Sequence, residues 1–466
     1  MNLYKPIYHF RPEKNWINDP NGLVYYKGKY HLFYQYNPYS DHWDTMHWGH
    51  AVSEDLVHWN QLPIAIYPSN EHGEKHCFSG CCVIDDKEMP KIFYTSVGEG
   101  FRNARDGAEQ WMAIGDANMI KWEKSSMNPI LKSSIHRGIE IKEWRDPFLW
   151  KENGRWFMIL GGQDNGKGCV LLYTSKDLFQ WSFLNIIFET SRYNLIECPN
   201  MLKFNDKYVL IYSPADHAVY HIGEIDENYK FVSNLEGILD ESGFEGFYAP
   251  NTLIDSRGRY VMFGWMPEVA RDKFYHKDLS SWAGVMSIPR VISIDEEGDL
   301  KTEPLPELEI LRYDEIDYEN RAVKDKWQIG QVGRAIEFEI EVFISGDEDF
   351  SLNVLESISQ EEKTMIRYDA LNQEMSIDRS KSSYSAYPHK SILKDKVKIQ
   401  NEKKIKIHVF VDHSTIEVFA SGKCISARVY PTLEDSCNLS IENKSKSKKI
   451  LNIAKLTIWK LRSIWN

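Results

Sequence analysis

Asp146-Pro147-Phe148-Leu149-Trp150-Lys151-Glu152-Asn153-Gly154-Arg155-Trp156-Phe157-Met158-Ile159-Leu160 sets the fold class of this chain. It runs acid, proline, apolar segment, polar turn, then a strand-like stretch headed by an aromatic. Asp19-Pro20 leads in the same way to Tyr30-His31-Leu32-Phe33-Tyr34, and Glu197-Cys198-Pro199 to Tyr208-Val209-Leu210-Ile211-Tyr212. A fourth copy, Ala249-Pro250 followed by Tyr260-Val261-Met262-Phe263, lacks the acid. Each aromatic follows its proline by nine or ten residues, and Pro147, Pro199 and Pro250 are 52 and 51 residues apart. A period of that size with several strands per unit predicts propeller blades. Equivalent positions in blades lie equally far from the central axis. Asp19, Asp146 and Glu197, repeated near the inner strand, are therefore expected to converge, and converging carboxylates are what glycoside hydrolysis uses. One Asp-Pro alone is ordinarily a turn. Three acids in register serve no folding purpose, because converging charge costs stability.

A second repeat supports the same architecture. Ser53-Glu54-Asp55-Leu56-Val57-His58-Trp59 matches Ser175-Lys176-Asp177-Leu178-Phe179-Gln180-Trp181, and Asp116-Ala117-Asn118-Met119-Ile120-Lys121-Trp122 is a looser copy. Each reads as a turn into an outer strand whose Trp packs between blades. Five units result, beginning near Asp19, Ser79, Asp146, Glu197 and Pro250. The repeat ends near residue 312, after the connector Pro304-Leu305-Pro306-Glu307-Leu308-Glu309-Ile310-Leu311-Arg312. Alternating runs such as Ala335–Phe343, Lys404–Val411, Thr415–Phe419 and Lys455–Trp459 then predict an antiparallel sandwich. The expected fold is all-β: a five-bladed β-propeller over residues 1–312, followed by a C-terminal β-sandwich over 313–466.

Composition narrows the function classes. The 466 residues carry a net charge of −12, which disfavours nucleic acid or an anionic membrane as partner. The 15 Trp, 25 Tyr and 21 Phe suit a β-rich core and supply flat faces for sugar rings. Seven cysteines, without paired zinc-ligand spacing, read as reduced thiols. With no apolar leader after Met1 and no run long enough to span a bilayer, the expected location is cytoplasmic.

Trp16-Ile17-Asn18-Asp19-Pro20-Asn21-Gly22, Trp144-Arg145-Asp146-Pro147 and Glu197-Cys198-Pro199 resemble the signatures of glycoside hydrolase family 32, the invertase, fructanase and sucrose-6-phosphate hydrolase family. The similarity continues through Met46-His47-Trp48-Gly49-His50, Phe78-Ser79-Gly80, Phe247-Tyr248-Ala249-Pro250, Trp282–Arg290 and Val411-Asp412-His413-Ser414. It departs from the family pattern at Cys81, at Gly246 (where a bulkier residue is usual), at Asn251 and at His413.

The resemblance implies roles. Asp19 is the expected nucleophile, forming a covalent fructosyl-enzyme. Glu197 is the general acid and then the base, a role that needs a proton near neutral pH. Asp146 holds fructose hydroxyls, and the Arg145 charge keeps nearby carboxylates ionised. Asn18, Gln35, Trp43, Phe78, Ser79, Tyr248 and Trp265 are expected in the substrate pocket. His47, Trp48 and His50 read as supporting residues, since hydrolysis by two carboxylates needs no metal or other cofactor. The implied substrate is a small sugar: sucrose 6-phosphate, sucrose or a short fructo-oligosaccharide. Arg102, Arg105, Arg271 and Lys273 are candidates for the phosphate. A fructosyltransferase and a non-catalytic fructan-binding protein are the alternatives, and the sandwich either stabilises the propeller or mediates a homodimer.

Overall fold

The computed structural model describes residues 3–98, 108–268, 281–386, 388–399, 403–447 and 449–465. Among them the regular structure is β-strand with a few 3-10 turns, and no helix is long and apolar enough to cross a membrane. The strands form seven sheets.

Five sheets follow one another along the chain, and in each the strands pair antiparallel with their sequence neighbours. Their first strands are Asn15–Tyr26, His76–Ile84, Ile141–Glu152, Glu197–Phe204 and Tyr248–Ile254. Each of these inner strands touches the next, and the fifth touches the first. The start of the first strand also pairs with the end of the region, Asn15 opposite Trp282 and Trp16 opposite Ala283. The aromatic runs named above are the second strands.

The Ser-x-Asp-Leu-x-x-Trp copies lie between the third and outermost strands. Asp55 Oδ1 accepts the amides of Val57 and His58 at 2.9 and 2.8 Å, and Asp177 Oδ1 those of Phe179 and Gln180 at the same distances. Each turn aims its Trp at the preceding sheet. Trp59 meets Phe263, Trp122 meets Phe33 and Trp181 meets Phe93, at centroid distances of 5.9, 5.5 and 6.2 Å. Adjacent Cys81 and Cys82 point to opposite faces of one strand and enter two different inter-sheet cores. All seven cysteines are free.

Residues 312–461 form two six-stranded sheets that share one apolar core, from Val323 and Phe338 on one sheet to Phe350 and Ile366 on the other. The connector includes a 3-10 turn, Pro306–Leu311, which buries Leu308 and Leu311. A charged network closes the junction between this region and the five sheets. Buried Arg290 donates to Glu417 Oε2 through Nε (3.0 Å) and to Asp240 Oδ2 (3.2 Å). His9 bridges Asp412 (2.9 Å) and Glu417 (3.1 Å), and Asp412 also accepts the amides of Ile7, Tyr8 and His9.

Candidate active site

The acids are aimed by five β-bulges. Every inner strand loses register with its neighbour at one level: between Ile17 and Pro20, Cys77 and Gly80, Arg145 and Phe148, Glu197 and Asn200, and Tyr248 and Asn251. A regular strand sends neighbouring side chains to opposite faces. A bulge inserts a residue and re-aims them. In three of the five the residue before proline has positive φ: Asp146 at 65°, Cys198 at 47° and Ala249 at 46°. Consecutive residues therefore line one cavity of about 270 Å³: Asn18 with Asp19, Phe78 with Ser79, Arg145 with Asp146, and Glu197 with Cys198. Tyr248, Gln35, Trp43 and Trp265 complete its predicted lining.

The register corrects one part of the sequence reading. Asp19 and Asp146 directly precede their prolines, but Glu197 is one residue earlier. By register Cys198 is level with Asp146 and Asn18, Glu197 with Arg145 and Ile17, and Asp19 with Pro147 and Pro199, so the three acids stand at three successive positions of the bulged segment rather than at one. The bulge explains why Glu197 nevertheless lines the same cavity.

Asp19 Oδ2 accepts from Ser79 Oγ at 2.6 Å, and Oδ1 from Asn18 Nδ2 at 3.1 Å. Trp16 Nε1 fixes Asn18 from behind at 2.8 Å. Burial pushes the Asp19 carboxyl up, and the Ser79 and Asn18 hydrogen bonds pull it back. Asp146 Oδ2 accepts the Cys198 amide at 2.9 Å, and the Asp146 amide donates to Thr95 Oγ1 at 3.0 Å. Burial carries Asp146 up to about 7 against the pull of Arg145, whose Nε lies 4.0 Å away. The Cys198 thiol sits 3.6 Å from both Asp19 Oδ2 and Asp146 Oδ2. Burial and these two charges push it well up, so it stays an S–H donor.

Each oxygen of Glu197 has its own donor. Arg145 Nη2 reaches Oε1 at 2.7 Å, and Tyr248 Oη reaches Oε2 at 2.7 Å. Burial opposes the Arg145 charge, but Glu197 and Asp146 overcome it and hold Arg145 protonated. Burial and Glu197 push the Tyr248 phenol well up, so it remains a donor. The amide of Ala215 donates to Tyr248 Oη at 2.7 Å and orients it.

Two lining residues went unnoticed in the sequence. Glu143 takes a second hydrogen bond from Arg145, and Phe244 forms part of the wall; neither belongs to a repeat or motif that would have marked it. His47, Trp48 and His50 stay outside the cavity. His47 binds the Thr45 carbonyl (2.7 Å), and His50 bonds His31 (2.9 Å) and stacks on Phe33 (4.1 Å). Trp48 Nε1 donates to the carbonyl of Phe78 at 3.0 Å and so supports the pocket from outside. Arg102, Arg105, Arg271 and Lys273 lie outside the described residues. A larger, more apolar cavity of about 490 Å³ occupies the opposite ends of the inner strands. Glu152 is the one acid among its described lining residues, and Lys203 and Tyr208 engage it.

The arrangement offers a fixed carboxylate, a second carboxyl gripped on both oxygens, and a third buried beside them. That suits attack and proton transfer at one bond. Comparison with known proteins agrees. Residues 9–304 match the model "Glycosyl hydrolases family 32 N-terminal domain", and residues 307–460 match "Glycosyl hydrolases family 32 C terminal". A "Beta-fructofuranosidase, insoluble isoenzyme" of Arabidopsis thaliana is 30% identical over 99% of this chain and 90% of its own length. The Escherichia coli "Sucrose-6-phosphate hydrolase" is 28% identical over 93% of this chain and 91% of its own. Among solved structures, fructan 1-exohydrolase IIa from Cichorium intybus superposes with TM-score 0.89 at 26% identity, covering 99% of this chain and 98% of that one. A variant of it has been solved with 1-kestose, with TM-score 0.87 at 26% identity, covering 99% of this chain and 98% of that one. With both family models matched over nearly its whole length, this chain belongs to glycosyl hydrolase family 32 and is a glycoside hydrolase.

Proposed function

We propose that the chain is a retaining β-fructofuranosidase that hydrolyses the terminal β-D-fructofuranosyl bond of sucrose or sucrose 6-phosphate. The fold that goes with this reading is a five-bladed propeller over residues 1–312 and a sandwich over 313–466. Its supports are the ring of touching inner strands and the single core shared by the last two sheets. The observation that carries the function is the meeting of Asp19, Asp146 and Glu197 in one cavity, tied together by Cys198 and Arg145.

In the first step Asp19 attacks the anomeric carbon, and Glu197 gives a proton to the departing oxygen. In the second, Glu197 takes a proton from water, which releases fructose from the Asp19 ester. The donors on Asp19 and Glu197 hold both carboxyls in place before substrate arrives, which lowers the cost of alignment. Asp146 binds fructose hydroxyls beside the developing positive charge. Sucrose 6-phosphate and 1-kestose, named for the Escherichia coli and chicory proteins, mark the range of substrates to try.

Steady-state hydrolysis of sucrose, sucrose 6-phosphate and 1-kestose tests this directly. Fructose release from at least one is expected, and Glu197→Gln should lower kcat about 10²–10⁴-fold without unfolding the protein. Near-normal turnover by Glu197→Gln would remove it from the acid role. Fructose passed to sugar instead of water at high substrate concentration would make the enzyme a transferase.

A further inference from the structure

Phe244 has no part in the chemistry above, yet its ring lines the cavity. It lies in a 3-10 turn, Gly243–Glu245, just before the fifth inner strand. It is 40% exposed while lining the cavity. Its edge-on neighbours are Tyr248, at 5.0 Å between centroids, and Trp265, at 5.5 Å. Tyr248 is the residue that grips Glu197, and the leaving oxygen must lie against Glu197. A ring beyond that oxygen therefore meets Phe244 first. Trp265 is buried, and its Nε1 has no hydrogen-bond partner in the protein.

The turn is held from the C-terminal region. Fully buried Arg379 donates to Glu245 Oε2, Ser391 Oγ reaches the same oxygen at 2.7 Å, and His389 lies 3.3 Å from Oε1. Gly246 lets that region come close, because a Cβ there would lie 2.5 Å from the Ser426 carbonyl. A side chain at this position is therefore excluded, and the wall is left to the aromatic ring. Among the described residues Arg145 is the one cation lining the cavity, and it is spent on Glu197 and Glu143.

We propose that Phe244 is the platform on which the leaving sugar stacks and that Glu245 positions it through Arg379 and Ser391. This rests on the β-fructofuranosidase reading. An aromatic face binds the C–H face of a sugar ring.

The test is product inhibition and kcat/KM on the full-length enzyme. Phe244→Ala should lower kcat/KM for sucrose tenfold or more and raise Ki for glucose, while Ki for fructose stays unchanged. Phe244→Trp should retain activity. Glu245→Gln should raise Ki for glucose in the same way, and Phe244→Ala/Glu245→Gln should be no worse than Phe244→Ala alone. Additive effects would overturn the positioning role. Unchanged sucrose kinetics in Phe244→Ala, or a glucose Ki that rises only together with the fructose Ki, would overturn the platform. If the unaltered enzyme releases no fructose from any of these sugars, it is the β-fructofuranosidase reading itself that fails.

Discussion

Ser79 shows how much one hydroxyl can decide. Asp19 is half-buried, and desolvation of its carboxyl in the cavity favours the protonated form, which cannot attack carbon. The 2.6 Å bond from Ser79 favours the anion. Ser79→Ala should therefore move the acid limb of the kcat/KM profile upward by about one pH unit, with the largest loss of activity on the acid side. An unmoved acid limb would mean that Ser79 does not hold the nucleophile ionised. Asp146 is raised in the same direction. Its carboxyl is raised from 3.8 to about 7, so its contribution to stability is full below about pH 4 and is lost as pH rises through 7. Asp146→Asn, which keeps an oxygen for the Cys198 amide, should raise Tm by ~2 °C at pH 8 and leave it nearly unchanged at pH 4, by calorimetry. At this scale the sequence was half legible. Asp19 and Asp146 are marked by the prolines after them. Glu197 is legible from its motif although Cys198 separates it from its proline, and Glu143 and Phe244 carry no mark, because neither belongs to a repeat or motif.

The strands themselves were readable, because aromatic-headed runs with turn residues on either side leave little choice. The bulges were not. A bulge depends on the register between two strands, which neither strand encodes alone. In three of the bulges the proline inside, Pro147, Pro199 or Pro250, is the visible trace, since it donates no ladder hydrogen bond. Close approach of backbones is equally invisible. Gly161, in the second strand of the third sheet, lies where a Cβ would be 2.2 Å from the carbonyl of Ile196, the residue before Glu197. Gly161→Ala should push that segment away and cut kcat at least tenfold, because an acid displaced by an ångström transfers its proton poorly. A folded Gly161→Ala enzyme with normal kcat would show that the segment before Glu197 tolerates displacement.

The whole molecule is latched by charges rather than by apolar contact alone. His9, Asp412, Glu417, Arg290 and Asp240 are buried at the junction, and each depends on the others for its charge. Burial disfavours protonated His9, but its bonds to Asp412 and Glu417 overcome this and raise its pKa above 6.5. Its contribution to stability is thus full below pH 6.5 and is lost as pH rises through the raised value. Arg290→Ala, which strands Glu417 and Asp240, should cost about 3–5 kcal/mol in denaturant unfolding. In the sequence His9 and Arg290 stand 281 residues apart, and only the closed fold shows them to be parts of one cluster.

A retaining mechanism requires Asp19 to form a bond to fructose. The decisive measurement is proton NMR of the first fructose released from sucrose, before mutarotation, together with mass mapping of enzyme quenched during turnover. β-Fructofuranose is expected as the first anomer, with a fructosyl ester on the peptide carrying Asp19. First release of the α-anomer, with no ester on Asp19, would contradict it.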